Sequence, residues 1–134
     1  MTTNFERVGA FHQKFDLPVA GPTAKPHIID DETFLFRLDL ILEETTELLR
    51  EHRKRDIAKV ADAIGDTLYV LYGLAHYMAI PIDQVFEEIH RANISKERST
   101  GNSDVRSTRG SAIDVVKPAG FLPPDIQRII DAHS

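Results

Sequence analysis

The chain of 134 residues contains no cysteine. This absence excludes disulfide bonds, thiolate catalysis and zinc sites built on thiolates. No apolar run approaches the roughly 18 to 20 residues that a membrane-spanning helix needs, and the polar start MTTNFERVG lacks the apolar block of a signal peptide. We therefore expect one cytoplasmic domain over residues 1–134, large enough to form its own core.

Positive charge is also scarce, because 16 Lys and Arg residues face 21 Asp and Glu residues, which gives a net charge of −5. The phosphate backbone of nucleic acids attracts basic surfaces. An acidic chain of this kind therefore argues against general nucleic-acid binding. We expect neither a nucleic-acid partner nor a membrane partner.

Acidic residues are concentrated in two clusters at helical spacing. The clusters consist of Glu43, Glu44, Glu47, Asp62 and Asp66. Both lie in otherwise apolar segments, where a buried carboxylate without a partner is unfavourable and a divalent cation would compensate it. Ligands that are all oxygen favour Mg²⁺, or Mn²⁺, over zinc. Acidic runs on helices are often solvated faces, so solvent exposure is the alternative, above all for Glu44.

The periodicity of apolar residues predicts an all-α antiparallel helical bundle. The predicted helices span residues 4–15, 31–53, 56–78, 81–96 and 126–132, with a short strand at 113–116. The short turn at 53–56 makes the two long helices antiparallel, so that their acidic clusters can face each other. The predicted core covers about residues 30–98, and a C-terminal extension of about 99–134 begins with a flexible segment rich in Ser, Thr and Gly.

Apolar stripes predict how the helices pack. In the helix over 31–53, one face is expected to pack on the core, and it consists of Leu35, Leu38, Ile41, Leu42, Thr45, Leu48 and Leu49. The helix over 56–78 is apolar nearly all round, which is typical of a central helix. Asn93 and Lys96 extend a core-facing stripe of the next helix, so we expect them to reach the same cavity as the acidic clusters. Lys117 and the arginines after Lys96 would add positive charge for a polyphosphate.

The acidic clusters resemble a known signature. The segments EETTE (43–47) and DAIGD (62–66) resemble the EExxE…ExxD pattern of the MazG-like all-α nucleotide pyrophosphohydrolases. YVLYG (69–73) and HRANISK (90–96) strengthen the resemblance. The C-terminal VKP…PPDI is similar to a branch that includes a MazG-like dUTP pyrophosphohydrolase and phage-type relatives.

This resemblance implies a homodimer, or a higher homo-oligomer, that hydrolyses a nucleoside triphosphate to the monophosphate and pyrophosphate with Mg²⁺ and so cleanses the nucleotide pool. Glu44, Glu47 and Asp66 would be metal ligands, and Glu43 would hold or deprotonate the attacking water. Asn93 and Lys96 would contact sugar or phosphate. Ala63 stands where the signature has a glutamate, and we expect Asp62, one turn from Asp66, to replace it.

Three further residues are candidates for substrate binding. His12 follows Phe11 in an FH pair like that of relatives, although packing of an amphipathic helix explains the aromatic residues equally well. Tyr69 could stack on a base, with core packing as the alternative, and Lys117 could bind phosphate or be solvated. Two other functions stay open: a phosphoribosyl-ATP pyrophosphohydrolase-like activity, and a catalytically silent helical dimer that binds a nucleotide or a protein.

Overall fold

A computed structural model describes residues 1–101, 103–109 and 113–134, and in these residues five helices accompany one two-stranded sheet. The helices are α1 (Asn4–Lys14), α2 (Asp31–Arg53), α3 (Ile57–Tyr77), α4 (Ile82–Ile94) and α5 (Ile126–Ala132), and the strands are β1 (Glu97–Arg98) and β2 (Val115–Val116). The predicted all-α class is confirmed. No helix in the described residues is long and apolar enough to cross a membrane.

Aspartate caps fix the starts of the two long helices. The side chain of Asp30 accepts a hydrogen bond of 2.9 Å from the backbone N–H of Thr33, and that of Asp56 accepts one of 3.2 Å from Lys59. Each carboxylate satisfies a donor that the first turn of a helix leaves free. Asp56 is therefore the cap of α3. The sequence pattern had suggested that it is the first residue of the helix.

Helix α4 ends at Ile94, two residues before the predicted end. The N–H of Ser95 bonds to the carbonyl of Ala92 at 3.2 Å, and that of Lys96 to the carbonyl of Asn93 at 3.1 Å. These bonds span three residues, so the helix closes in tighter 3₁₀-type turns. Lys96 therefore lies just outside the helix to which its stripe had assigned it.

The chain divides into two compact units, residues 1–82 with 132–134, and residues 83–131. In the first unit α3 packs against both α1 and α2. The guanidinium of Arg37, near the start of α2, lies 4.7 Å from the ring centroid of Tyr77 at the end of α3. This contact confirms that the two long helices are antiparallel. The apolar core of the unit is made of small residues, Val8, Ala63, Ala75 and Ala79.

The apolar faces of α2 and α3 are less buried than the sequence predicts. Leu35, Leu42 and Leu49 were expected in the core, yet 55%, 53% and 52% of their surfaces are exposed. On α3, Ile64 and Leu68 are also about half exposed, at 48% and 49%. The prediction that α3 is covered all round is therefore wrong for this single chain. The period of a sequence shows that a face is apolar, but not what covers it.

In the second unit, β1 and β2 pair antiparallel, with Glu97 opposite Val116 and Arg98 opposite Val115. The predicted strand at 113–116 is thus confirmed at Val115–Val116, whereas its partner was not predicted. The unit's apolar core is formed by Val85, Ala92, Val116 and Ile129.

Candidate active site

Glu44 is the most informative carboxylate of the molecule. Its side chain is half-buried, and its Oε2 atom is buried without a hydrogen-bond partner. Burial raises the pKa of Glu44, and the negative charges of Asp66, Glu47, Glu43 and Asp62 raise it further, in that order. The five predicted acids of α2 and α3 therefore lie near enough to repel one another.

The other four acids are exposed, so burial within apolar helices holds only for Glu44. From the sequence, solvent exposure was the strongest alternative for Glu44. In the structure, Glu44 is the least exposed of the five acids. Glu43 and Glu47 line an open cleft of 540 Å³ on α2. Asp39, Leu42, Thr46 and Arg50 complete its walls.

These carboxylates form an all-oxygen set that suits a hard divalent cation. In the described residues, no three His, Asp or Glu side chains converge closely enough to hold a metal in their present rotamers. Rotation of the exposed carboxylates toward Glu44 would be needed to ligate one. The unpartnered oxygen of Glu44 is the structural observation that fits a cation, because it is a buried acceptor that nothing in the described chain satisfies.

Ala63, at the position where the signature has a glutamate, is 2% exposed and belongs to the core of α3. Asp62, its predicted replacement, is exposed and gives the smallest of the four charge contributions to the pKa of Glu44. Asp62 is therefore placed on the acidic side of the helix, but farther from the electrostatic centre than Asp66.

Three charged residues on α2 that the sequence did not single out lie in one line. Arg37, Glu44 and Glu51 are spaced by seven residues and so lie along one side of the helix. Arg37 and Glu51 are 8% and 5% exposed. Each of the three carries a buried atom without a hydrogen-bond partner: Nε of Arg37, Oε2 of Glu44 and Oε2 of Glu51. The seven-residue spacing places these residues on one side of the helix, but their burial is visible only in the structure.

His12 and Tyr69, two candidates for substrate binding, lie in the first unit, where His12 is buried and Tyr69 is 40% exposed. His12 is 1% exposed, and its Nδ1 lies 2.6 Å from the carbonyl oxygen of Pro18, which requires the ring to donate there. Burial is the main cause that lowers its pKa, and the neighbouring His76 and Arg37 lower it further. Tyr69 makes an edge-on contact with Phe11, at 5.4 Å between centroids.

The remaining candidates belong to the second unit. Asn93 is an exposed residue at the end of α4. Lys96 and Lys117 both approach the ring of Phe121, with Nζ atoms 6.0 Å and 5.5 Å from its centroid. Phe121 was not among the residues predicted from the sequence. The convergence of Asn93 and Lys96 with the acidic clusters stays a prediction.

A further cavity, of 480 Å³, lies at the other end of the first unit. Its walls are mostly apolar and include Phe5, Val19 and His76. Both nitrogens of His76 bond to backbone groups, Nε2 to the carbonyl of Phe5 at 2.7 Å and Nδ1 to the N–H of Ala20 at 3.1 Å. This cavity holds none of the predicted acidic residues, so the chemistry does not centre on it.

Residues 8–93 match the family described as phosphoribosyl-ATP pyrophosphohydrolase. The match includes His12, Asn93 and both acidic clusters. The chain therefore belongs to this family, and the predicted membership of the MazG-like all-α nucleotide pyrophosphohydrolases is confirmed.

The chain is also similar to the uncharacterized protein L479 of Acanthamoeba polyphaga mimivirus, with 39% identity over 84 residues. The similarity covers 60% of this chain and 33% of that protein. The chain thus spans about a third of the length of the relative it matches.

Proposed function

We propose that the chain hydrolyses a nucleoside triphosphate to the monophosphate and pyrophosphate, with Mg²⁺ or Mn²⁺ as cofactor. The observation that carries the proposal is the unpartnered oxygen of Glu44 among four further carboxylates. A divalent cation would satisfy that oxygen and relieve the repulsion that raises the pKa of Glu44. Membership of a pyrophosphohydrolase family supports the reaction type.

The proposed metal ligands are Glu44, Glu47, Asp62 and Asp66. Glu44 and Glu47 are one helical turn apart on α2, and Asp62 and Asp66 are one turn apart on α3. When bound, the metal would neutralise phosphate oxygens and polarise the phosphoryl group that is attacked. Asp62 would replace the glutamate that the family signature has at the position of Ala63.

The proposed reaction is attack of water on the α-phosphorus. A new oxygen–phosphorus bond forms, the bond from the α-phosphorus to the bridging oxygen breaks, and pyrophosphate leaves with the electron pair. Glu43, exposed in the cleft on α2, would accept the proton of the water and release it to solvent. Glu47 lines the same cleft and would help to orient that water in addition to holding the metal.

Further substrate contacts belong to the same proposal. Asn93, Lys96 and Lys117 would contact sugar or phosphate oxygens, and Tyr69 would stack on the base. His12 is buried, so a direct contact with substrate would require α1 to move away from α3. Cleansing of the nucleotide pool and a cytoplasmic location belong to the same proposal.

A second candidate function is cleavage of the same phosphoanhydride bond in phosphoribosyl-ATP. The description of the matching family favours it. Both substrates carry a triphosphate on a nucleoside and differ in what is attached to the base. The acidic clusters would therefore serve both reactions in the same way.

Pyrophosphate release from a panel of nucleoside triphosphates and from phosphoribosyl-ATP, with Mg²⁺ present, tests these proposals. We expect activity in the parent and a loss of at least roughly a hundredfold in Glu47→Gln and Glu44→Gln. Glu32→Gln is the matched control, because Glu32 is an exposed glutamate in the first turn of the same helix. A parent that releases pyrophosphate from none of these compounds would favour the catalytically silent binding protein.

We further propose that the chain forms a homodimer. The half-exposed leucines of α2, at positions 35, 42 and 49, are unfavourable in water, and a second copy would cover them. Light scattering should then give about twice the chain mass of 15.1 kDa. Leu35→Lys should shift the mass toward the monomer, whereas Lys59→Ala, on the exposed side of α3, should not.

A further inference from the structure

The end of the β1–β2 ladder brings two lysines together. Glu97 is paired with Val116, so the next position outward sets Lys96 opposite Lys117. Like charges directly opposite each other on paired strands are destabilising. In residues 1–101, 103–109 and 113–134, no carboxylate forms an ion pair with either ammonium. The strand register therefore places two lysines opposite each other, and no described carboxylate pairs with either of them.

Phe121 contacts both of these charges. Its ring centroid is 6.0 Å from Nζ of Lys96 and 5.5 Å from Nζ of Lys117, which is the range in which a ring face attracts a cation. A tight turn directs the ring, because the N–H of Phe121 bonds to the carbonyl of Pro118 at 3.1 Å and Gly120 has φ +76°. Glycine suits this third position of a turn, where other residues are strained. We call Lys96, Lys117 and Phe121 the lysine–phenylalanine cluster.

Neighbouring arginines are engaged elsewhere. Arg106 bonds to Asp104 and to Glu97, each at 3.0 Å, and Arg109 bonds to Asp114 at 2.6 Å. These pairs neutralise the guanidinium groups of Arg106 and Arg109. The two lysines of the lysine–phenylalanine cluster, in contrast, have no ion pair with a described carboxylate.

We propose that the lysine–phenylalanine cluster is a binding site for a polyphosphate anion, and that Phe121 is a positioning residue that holds the two ammoniums in place for it. A diphosphate carries more negative charge than a monophosphate and offers two phosphoryl groups, one for each ammonium. Assignment of the bound group to the pyrophosphate part of the substrate rests on the proposed function. Binding of the anion itself does not, because it needs neither metal nor turnover.

Calorimetric binding of inorganic pyrophosphate to the full chain, in EDTA and at low salt, tests the site. We expect Lys96→Ala and Lys117→Ala each to weaken binding about tenfold, as expected for loss of a hydrogen bond to a charged group. Phe121→Leu should weaken it about two- to fivefold, and Phe121→Tyr should restore it, because tyrosine keeps the ring face. Inorganic phosphate should bind more weakly than pyrophosphate to the parent.

The chain offers a matched control in the first unit. Nζ of Lys14 lies 5.5 Å from the ring centroid of Phe15, so this pair has a lysine–ring contact with one ammonium only. Lys14→Ala and Phe15→Leu remove the same chemical groups as the test variants. Both should bind pyrophosphate like the parent.

Two results would overturn the inference. If both lysine variants bind pyrophosphate like the parent, the cluster is not the binding site. If the lysine variants bind more weakly but Phe121→Leu binds like the parent, Phe121 is not a positioning residue. Phe121→Met, which keeps volume without a ring, gives the same decision if Phe121→Leu does not fold. In turnover, Phe121→Leu should raise KM with little change in kcat. A parent that binds pyrophosphate but hydrolyses nothing would contradict the proposed function alone.

Discussion

Gly73 of α3 lies so close to Arg37 of α2 that the glycine position has no room for a side chain. A Cβ there would collide with Nη2 of Arg37 and stand 3.2 Å from Nε2 of His12. This contact is at the end of the helix pair where Arg37 also stacks on Tyr77. The close approach explains a glycine in the interior of a helix, where it is otherwise unfavourable.

Replacement of Gly73 by alanine should therefore destabilise the protein. We expect a loss of about 1 to 2 kcal/mol in the free energy of unfolding, because the buried guanidinium must shift away from Tyr77. Gly65→Ala is the control on the same helix, where a Cβ meets no atom within 4 Å. That change should stabilise by about 0.5 to 1 kcal/mol. Chemical denaturation measures both, and equal effects of the same sign would refute the packing argument.

Glu44→Gln should stabilise the metal-free protein at pH 7. The substitution removes a carboxylate whose buried oxygen has no hydrogen-bond partner and which faces four other acids. Thermal melting in EDTA should show a Tm a few degrees above that of the parent. The Glu32→Gln control should leave Tm unchanged, and a lower Tm for Glu44→Gln would mean that this oxygen has a partner.

Addition of Mg²⁺ should raise the Tm of the parent. At a concentration ten times the Kd, a ligand that binds only the folded state contributes about 1.4 kcal/mol, or roughly 3 to 6 °C. The shift should shrink in Glu44→Gln and in Asp66→Asn, and persist in Glu32→Gln. Equal shifts in all four proteins would place the cation elsewhere.

Glu88 should make the stability of the second unit depend on acid pH. A side-chain hydrogen bond from Arg91 and a backbone one from Asp125 lower the pKa of Glu88 from 4.5 to about 2. Its contribution is complete above the unfolded-state pKa of 4.5 and is lost as the pH falls through about 2. Glu88→Gln should therefore lower Tm at pH 7.

The difference in Tm between Glu88→Gln and the parent should narrow as the pH falls toward 2. Glu87→Gln, an exposed neighbour on α4, serves as the control and should melt like the parent at each pH. A difference that is constant from pH 7 to pH 2 would show that the substitution acts through packing and not through charge.

Local chemistry made the helices predictable. Capping carboxylates at Asp30 and Asp56 and the proline pair before α5 give start signals that depend on neighbouring residues only. Strand β1 could not be foreseen, because two charged residues carry no periodicity. Its existence depends on pairing with Val115 and Val116, residues far along the chain.

The sequence showed which acids form the two clusters, but not how far each acid is buried. The sequence identified five acids, yet only the packing of α2 on α3 half-buries Glu44 and leaves Glu47 exposed. Arg37 was missed because a single arginine in an amphipathic helix looks like a solvated residue. Phe121 was missed because its role depends on two lysines that the β1–β2 register brings together.

The strand pairing has a practical consequence for protein engineering. Next to the ladder, the N–H of Ser99 bonds to the carbonyl of Asp114 at 2.8 Å, so the two ends of the intervening stretch are clamped side by side. We expect that much of that stretch can be exchanged for a reporter peptide while Lys96 and Lys117 keep their mutual spacing, provided that Ser107 and Arg109 are kept as partners of the buried Asp114. Retained pyrophosphate binding in such a chimera would show that the strand pairing, and not the stretch between the strands, sets this spacing.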